Sequence, residues 1–174
     1  MASPLFSPKL ISQEIQSKLP EGFVIRPLQI DDYEKGFLET LSQLTVVGDY
    51  GKDKFIERYE YMKKHNHEYF TIVIENTKEK RIFAAGTVLI ERKFIRGAGL
   101  VGHIEDIVVH KGARGLNFGK WIILQLKHIG ASVGCYKIIL DCSKDNIPFY
   151  EKCGFDHKEY EMVWYCKDAV KAKL

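Results

Sequence analysis

The chain lacks any apolar run long enough to cross a bilayer. Its longer runs, such as Trp121 to Leu124, span a few residues, where a transmembrane helix needs about 20. No apolar stretch of signal-peptide type precedes Pro20, where Ser, Pro, Gln and Lys recur instead. The cysteines Cys135, Cys142, Cys153 and Cys166 show no CxxC spacing. Without a secretory signal they read as reduced, mostly buried thiols in the cytoplasm or another reducing space. One-signed charge is missing too: 26 basic and 23 acidic residues leave a net charge of +3. With no basic stripe, nucleic acid is not an expected partner, whereas an anionic small molecule is compatible. His65 and His67 have no Cys or carboxylate at a metal-site spacing, so a solvated helix end is expected and no metal site. There is no internal repeat and no low-complexity stretch.

What is present suits one globular domain. The 174 residues are 45% hydrophobic and 12% aromatic, enough to bury a substantial core. Residues 1–20 read as a polar N-terminal extension, and 21–174 as the domain. Phe23 to Leu28 reads as a strand. Asp31 and Asp32 cap a helix carrying Tyr33, Phe37, Leu41 and Leu44, and Asp53 caps a second with Phe55, Ile56, Tyr59 and Met62 on one stripe. Tyr69 to Glu75 and Ile82 to Ile90 read as a hairpin, followed by the basic loop Arg92 to Gly97. Leu100 to His110 is a strand and Leu116 to Ile129 a helix that Gly130 ends. Tyr136 to Cys142 is apolar enough for a strand buried on both faces. Asn146 caps a short helix containing Pro148 and closed by Gly154, and Glu161 to Cys166 is a last strand. The order βααβββαβαβ predicts an α/β domain with a mixed central sheet flanked by helices.

Chemistry concentrates in Ile107 to Lys120, IVVHKGARGLNFGK. A strand, a glycine-broken loop and a helix start follow one another there. Such a loop presents unpaired N–H groups, and the helix dipole adds positive charge, so a pyrophosphate is a natural guest. Arg114 and Lys120 can neutralise it. Neither the P-loop pattern nor GxGxxG is met, and an ordinary turn after a strand is the alternative.

A second run, Asn146 to Phe155 (NIPFYEKCGF), follows the strand YKIILDC. Together with Arg114, Gly115 and Gly119 it resembles the GNAT superfamily of acyl-CoA-dependent N-acyltransferases. Leu44-Thr45, Ile90 to Lys93, Gly102 to Ile107 (GHIEDI), Gly134 to Cys142 (GCYKIILDC) and Phe149 to Phe155 resemble, within it, the glucosamine 6-phosphate N-acetyltransferase family over about residues 22–165. The resemblance implies acetyl transfer from acetyl-CoA to the amine of D-glucosamine 6-phosphate, a step toward UDP-N-acetylglucosamine. It also implies a homodimer that exchanges C-terminal strands, with the active site near the interface. The same chemistry on another amine, and a coenzyme A sensor without turnover, remain the rival readings.

Residue by residue, the resemblance assigns acetyl-CoA to Ile107, Val108, Val109, Arg114, Gly115, Leu116, Asn117, Phe118, Gly119, Lys120, Asn146, Tyr150 and Lys152. It assigns the sugar phosphate to Thr45, Lys93, Arg96, Glu105, Asp106 and Asp141. Asn117 stands where the family has a glycine, and Asn tolerates left-handed backbone. Val163-Trp164-Tyr165 stands where the family often has a basic residue, so phosphate recognition is expected to rest on Lys93 and Arg96. Glu105 is the expected base: a Glu inside an apolar strand calls for a reason, and burial beside Asp106 would raise its pKa. Alternation puts the two carboxylates on opposite faces unless a bulge intervenes, and a bulge would free the N–H of Ile107 or Val108 for an oxyanion. Tyr150 is the expected acid for the leaving thiolate. The plainer roles are a paired structural carboxylate for Glu105, core packing for Tyr150, a turn cap for Asp141 and solvation for Thr45 and Lys93 to Arg96.

Overall fold

The computed structural model describes residues 3–49 and 51–166. In chain order the elements are α1 (Gln13–Gln16), β1 (Phe23–Pro27), α2 (Phe37–Leu41), α3 (Lys52–Lys64), β2 (Tyr69–Asn76), β3 (Arg81–Arg92), the single turn α4 (Ile95–Ala98), β4 (Leu100–Val109), α5 (Phe118–Ser132), β5 (Cys135–Ile139) and α6 (Ile147–Lys152). The five strands form one sheet in sequence order. All neighbours are antiparallel except β4 and β5, which run parallel and are joined by α5, the crossover that a parallel pair requires. The sheet is therefore mixed, as expected. Among the described residues no helix is long and apolar enough to cross a membrane.

Helix α5 covers one face. Its Ile122, Ile123, Leu126 and Ile129 are fully buried, and two glycines let it approach the sheet closely. A Cβ on Gly86 would lie 2.5 Å from Ile107 and 2.7 Å from Ile122, and one on Gly130 would lie 2.7 Å from Ile138. Gly130 is thus a packing position inside α5 rather than its end. The chain turns instead at Gly134, whose φ of 93° suits glycine alone. Helices α2 and α3 cover the opposite face. The single helix expected over Tyr33 to Leu44 is divided: a 3-10 turn at Ile30–Tyr33, a left-handed Gly36 and then α2. Helix α3 starts from Gly51, with Asp53 in its first turn.

The N-terminal segment is built into the domain. Leu5, Phe6 and Ile11 are buried, Leu5 N–H donates to the Leu28 carbonyl at 2.8 Å, and Pro4 bridges to Gln29. Gln125, fully buried in the middle of α5, receives the Ser12 N–H (2.9 Å) and donates to the Leu10 carbonyl (2.9 Å). Both ends of a buried amide are satisfied by the backbone that it holds.

Two expectations fail at the far edge. Glu161–Cys166 forms no strand, and β5 is not buried on both faces: Tyr136 and Ile139 are exposed. The reasons are one and the same. Among the described residues no strand continues the sheet beyond β5, and the apolar Tyr136 and Ile139 are left exposed. Cys153 is buried, but Cys142 and Cys166 are exposed, so the thiols are less buried than their composition suggested.

A charged cluster fixes the opposite edge. Arg26 is bidentate to Asp32 (2.6 and 2.8 Å) and also meets Glu75 (2.6 Å), while Lys35 reaches Glu75 at 3.2 Å. Asp32 is fully buried and also accepts the Gln29 N–H. Removing the guanidinium would strand a buried carboxylate, which is far costlier than never having had the pair. Arg26→Met is expected to destabilise the fold by about 3 kcal/mol, read as a lower midpoint in urea unfolding at unchanged slope.

Candidate active site

The loop after β4 is held from behind. His110, buried, accepts the Gly112 N–H on Nδ1 at 3.0 Å, and the Lys111 N–H donates to Gln43 Oε1 at 2.7 Å. Past this clamp the backbone is left-handed at Gly115 (φ 88°) and Asn117 (φ 59°). The first helical bond of α5 runs from Trp121 N–H to the Asn117 carbonyl. The N–H groups of Gly115, Asn117, Phe118, Gly119 and Lys120 make no hydrogen bond among the described residues, and the Asn117 side chain does not cap them. Free donors at the positive end of a buried helix form an anion cradle. Arg114 and Lys120 are exposed beside it.

Asn117 carries a testable cost. Left-handed backbone disfavours most side chains by roughly 1–2 kcal/mol, whereas Gly adopts it freely and Asn tolerates it. Asn117→Val is expected to weaken coenzyme A binding about tenfold in calorimetric titration, and Asn117→Gly to leave it within about twofold.

The strand before the loop is irregular at the expected place. Ala85 pairs with Val108 and Thr87 with Glu105, so Gly86 faces both Asp106 and Ile107. That is a bulge, with Asp106 at φ 55°. The bulge brings Glu105 and Asp106 to solvent side by side. Burial, then Asp106 and Asp141, push the Glu105 carboxyl above the usual carboxylate range, and Glu161 adds to this. The sheet also opens here. Strand β5 pairs with β4 only from Leu100 to His103, so the β4 edge over 104–109 faces a gap in which an extended, amide-bearing ligand could pair as a strand does.

Across that gap, Asp141 and Cys142 follow β5 and α6 carries Tyr150. Burial, then Cys142 and Cys153, raise the Tyr150 phenol above its ordinary value, and its hydroxyl has no hydrogen-bond partner among the described residues. Asp141 acts on Glu105 and Cys142 on Tyr150, which puts base and acid candidates at one opening. Helix α6 is docked by Phe149 over Gly119 and by Lys127 of α5, whose ammonium donates to the Cys153 carbonyl at 2.7 Å. Asn146 occupies the N-cap position without a side-chain cap bond, and Lys152 is the last helical residue.

On the α2–α3 face a cavity of about 300 Å³ opens beside the bulge, with Thr45, Arg58 and Asp106 among its lining residues. Lys93 and Arg96 do not line it. Lys93 is held by Glu91 (2.5 Å), which also meets His103 (2.8 Å). Arg96 sits in α4 with left-handed backbone, next to a fully exposed Phe94. The structure thus gathers Glu105, Asp106, Asp141, Tyr150, Thr45 and the amide cradle around β4, and leaves Lys93 and Arg96 on a neighbouring loop. Sequence reasoning passed over Gly86, Arg58 and Lys127. Of these only Gly86 carried a signal, as a glycine inside a β-branched strand.

A strand that breaks at a bulge, parts from its parallel neighbour and ends in a free-amide cradle defines an acyl-CoA acyltransferase architecture. The Acetyltransferase (GNAT) family model matches residues 29–155, and the chain belongs to that family. It is 50% identical over 151 residues to "Glucosamine 6-phosphate N-acetyltransferase 1" of Dictyostelium discoideum, covering 87% of this chain and 96% of that one. The Arabidopsis thaliana glucosamine 6-phosphate N-acetyltransferase is 44% identical over 84% of this chain and 99% of its own. The crystal structure of an Arabidopsis enzyme of that name superposes with a TM-score of 0.82. An acetyltransferase structure from Trypanosoma brucei, 35% identical, covers 82% of this chain and 99% of that one with a TM-score of 0.76.

Proposed function

We propose that this chain transfers the acetyl group of acetyl-CoA to the amine of D-glucosamine 6-phosphate by direct attack. The product is N-acetyl-D-glucosamine 6-phosphate, a precursor of UDP-N-acetylglucosamine. The observation that carries the reaction class is the group of free amides at Gly115 and Asn117 to Lys120, set beside the opening that Glu105 and Tyr150 share. The substrate reading is supported by relatives that bear this name and are 44–50% identical over most of the chain.

In this reading the cradle and Arg114 take the diphosphate of the coenzyme, with Leu116, Asn146 and Lys152 alongside. Its pantetheine arm pairs with the free β4 edge at Ile107, Val108 and Val109. The bulge aims a backbone N–H at the thioester oxygen as it becomes an oxyanion. Glu105, directly or through a water, takes a proton from the ammonium, and the free amine attacks the carbonyl carbon. As the C–S bond breaks, Tyr150 gives its proton to the sulfur. Burial keeps the phenol protonated until then, which suits a donor to a thiolate. Thr45, Asp106 and Asp141 meet the sugar, and Lys93 and Arg96 supply positive charge for its phosphate.

Glu105 must be ionised to act, and its pKa is raised. Activity should therefore fall with falling pH at a point above the ordinary carboxylate value, about 4.3. Purified protein, acetyl-CoA and glucosamine 6-phosphate should release free thiol, and release at the blank level would refute the substrate. Glu105→Gln is expected to lower kcat a hundredfold or more and to remove the acidic limb of the profile. Tyr150→Phe should lose turnover while keeping coenzyme A affinity, which a sensor would not show.

The assembly belongs to the same proposal. Tyr160, Met162, Val163, Trp164 and Tyr165, which follow α6, are exposed, as are Tyr136 and Ile139 of β5. Exchange of this segment between two copies would cover both, in a cytoplasmic homodimer. Light scattering should give about twice 20.1 kDa, and truncation after Lys158 should give monomers. A monomeric full-length chain would exclude exchange.

A further inference from the structure

Tyr150 sits on a helix of only six residues, too short to hold itself in place. What fixes the phenol must therefore come from outside α6. On the N-terminal side the fixed point is Phe149, whose ring meets the start of α5: a Cβ on Gly119 would lie 3.4 Å from it. On the C-terminal side α6 ends in a left-handed glycine turn. Gly154, at φ 80°, donates its N–H to the Glu151 carbonyl at 2.9 Å, and Phe155 N–H donates to the Tyr150 carbonyl at 3.1 Å. The Phe155 ring meets the Tyr150 ring edge-on, with centroids 6.2 Å apart. Tyr150 is thus part of the turn itself.

One side chain takes the carbonyls that this turn leaves over. The Lys127 ammonium donates to the Cys153 carbonyl at 2.7 Å and reaches that of Gly154 at 3.4 Å, with the centre of the Phe155 ring 5.0 Å away. A cation suits the carbonyl end of a helix, where acceptors are unpaired and the dipole is negative. Lys127 stands on α5, the helix whose first amides form the cradle. Cradle and phenol are therefore tied to one rigid element. Without the ammonium, α6 would keep its contact at Phe149 and be free to pivot about it.

We propose that Lys127 is a positioning residue for Tyr150: by gripping the carbonyls that end α6, it holds the phenol at the leaving sulfur of a coenzyme bound in the cradle. The inference rests on the acyl-transfer reading above and deepens it, naming what keeps the acid in register with the cradle. Lys127 acts through α6 and touches neither coenzyme nor acceptor, so its loss falls on the step after binding.

Lys127→Met keeps the aliphatic stem and removes the ammonium. It is expected to lower kcat about tenfold to a hundredfold, as a displaced reacting group does. The Kd for coenzyme A in calorimetric titration and the KM for glucosamine 6-phosphate should stay within about twofold. Lys127→Arg can donate to the same two carbonyls and should restore kcat to within about threefold of wild type. Gly154→Ala attacks the contact from the other side, because its Cβ would lie 3.0 Å from the Lys127 ammonium. It should show the same loss of kcat alone, so a folding failure of the methionine variant leaves a second route. The decisive comparison is Lys127→Met in a Tyr150→Phe background. With the positioned group gone, the added substitution should change the residual kcat by less than about twofold. An equal loss in both backgrounds, or an unchanged kcat in folded Lys127→Met, overturns the proposal. A raised Kd or KM with kcat intact overturns it too. Full turnover by Tyr150→Phe alone would instead remove the acid on which the proposal rests, and absence of wild-type turnover would strike the acyl-transfer reading, so the failures stay distinct.

Discussion

The backbone N–H groups of Gly115, Asn117, Phe118, Gly119 and Lys120, left without partners among the described residues, are the feature on which the proposed site depends. A helix start that is capped by its own side chains has no use for an anion. Here Asn117 is left-handed and makes no cap, Gly115 turns the chain with nothing near its α-carbon, and the donors stay open. Phe118, almost fully buried, and the His110 and Gln43 bonds behind the loop keep them pointing one way. Preorganised donors of this kind suit a diphosphate, and in the proposed reading that contact would set where along β4 the thioester lies.

That distance is set by the sheet. The bulge opposite Gly86 turns Glu105 and Asp106 outward together, and the loss of pairing after His103 opens the gap across which Asp141 and Tyr150 sit. The same close approach of α5 to Gly86 and Gly130 that seals the core also fixes the cradle relative to the bulge. Helix α5 is in turn tied by Gln125 to the N-terminal segment and by Lys127 to the helix of Tyr150. Core packing and the placement of reacting groups are thus one set of contacts.

Much of this was legible in the residues. The hairpin, the apolar β4, the glycine-broken loop and the helix after it follow from periodicity and from glycine placement, and the mixed sheet follows from their order. The bulge was legible as a conflict, because two adjacent carboxylates in one strand cannot share a face without it. Three features were not legible. Leu5, Phe6 and Ile11 lie among Ser, Pro and Lys, with no period to reveal that they are core. Gly36 divides a helix whose apolar spacing continues across it. The sequence YKIILDC looks like a strand buried on both sides, yet among the described residues nothing covers the outer side of β5. Local pattern reports what a segment can bury, and only the fold reports against what.

The most direct test of the cradle follows backbone amides by 15N NMR while coenzyme A is added, and again with pantetheine, which lacks the diphosphate. The structure predicts that the Gly115, Asn117, Phe118, Gly119 and Lys120 resonances move with coenzyme A and stay in place with pantetheine. If pantetheine moved them equally, or if coenzyme A left them unmoved while binding elsewhere, the diphosphate would not lie at the start of α5 and the account would be wrong.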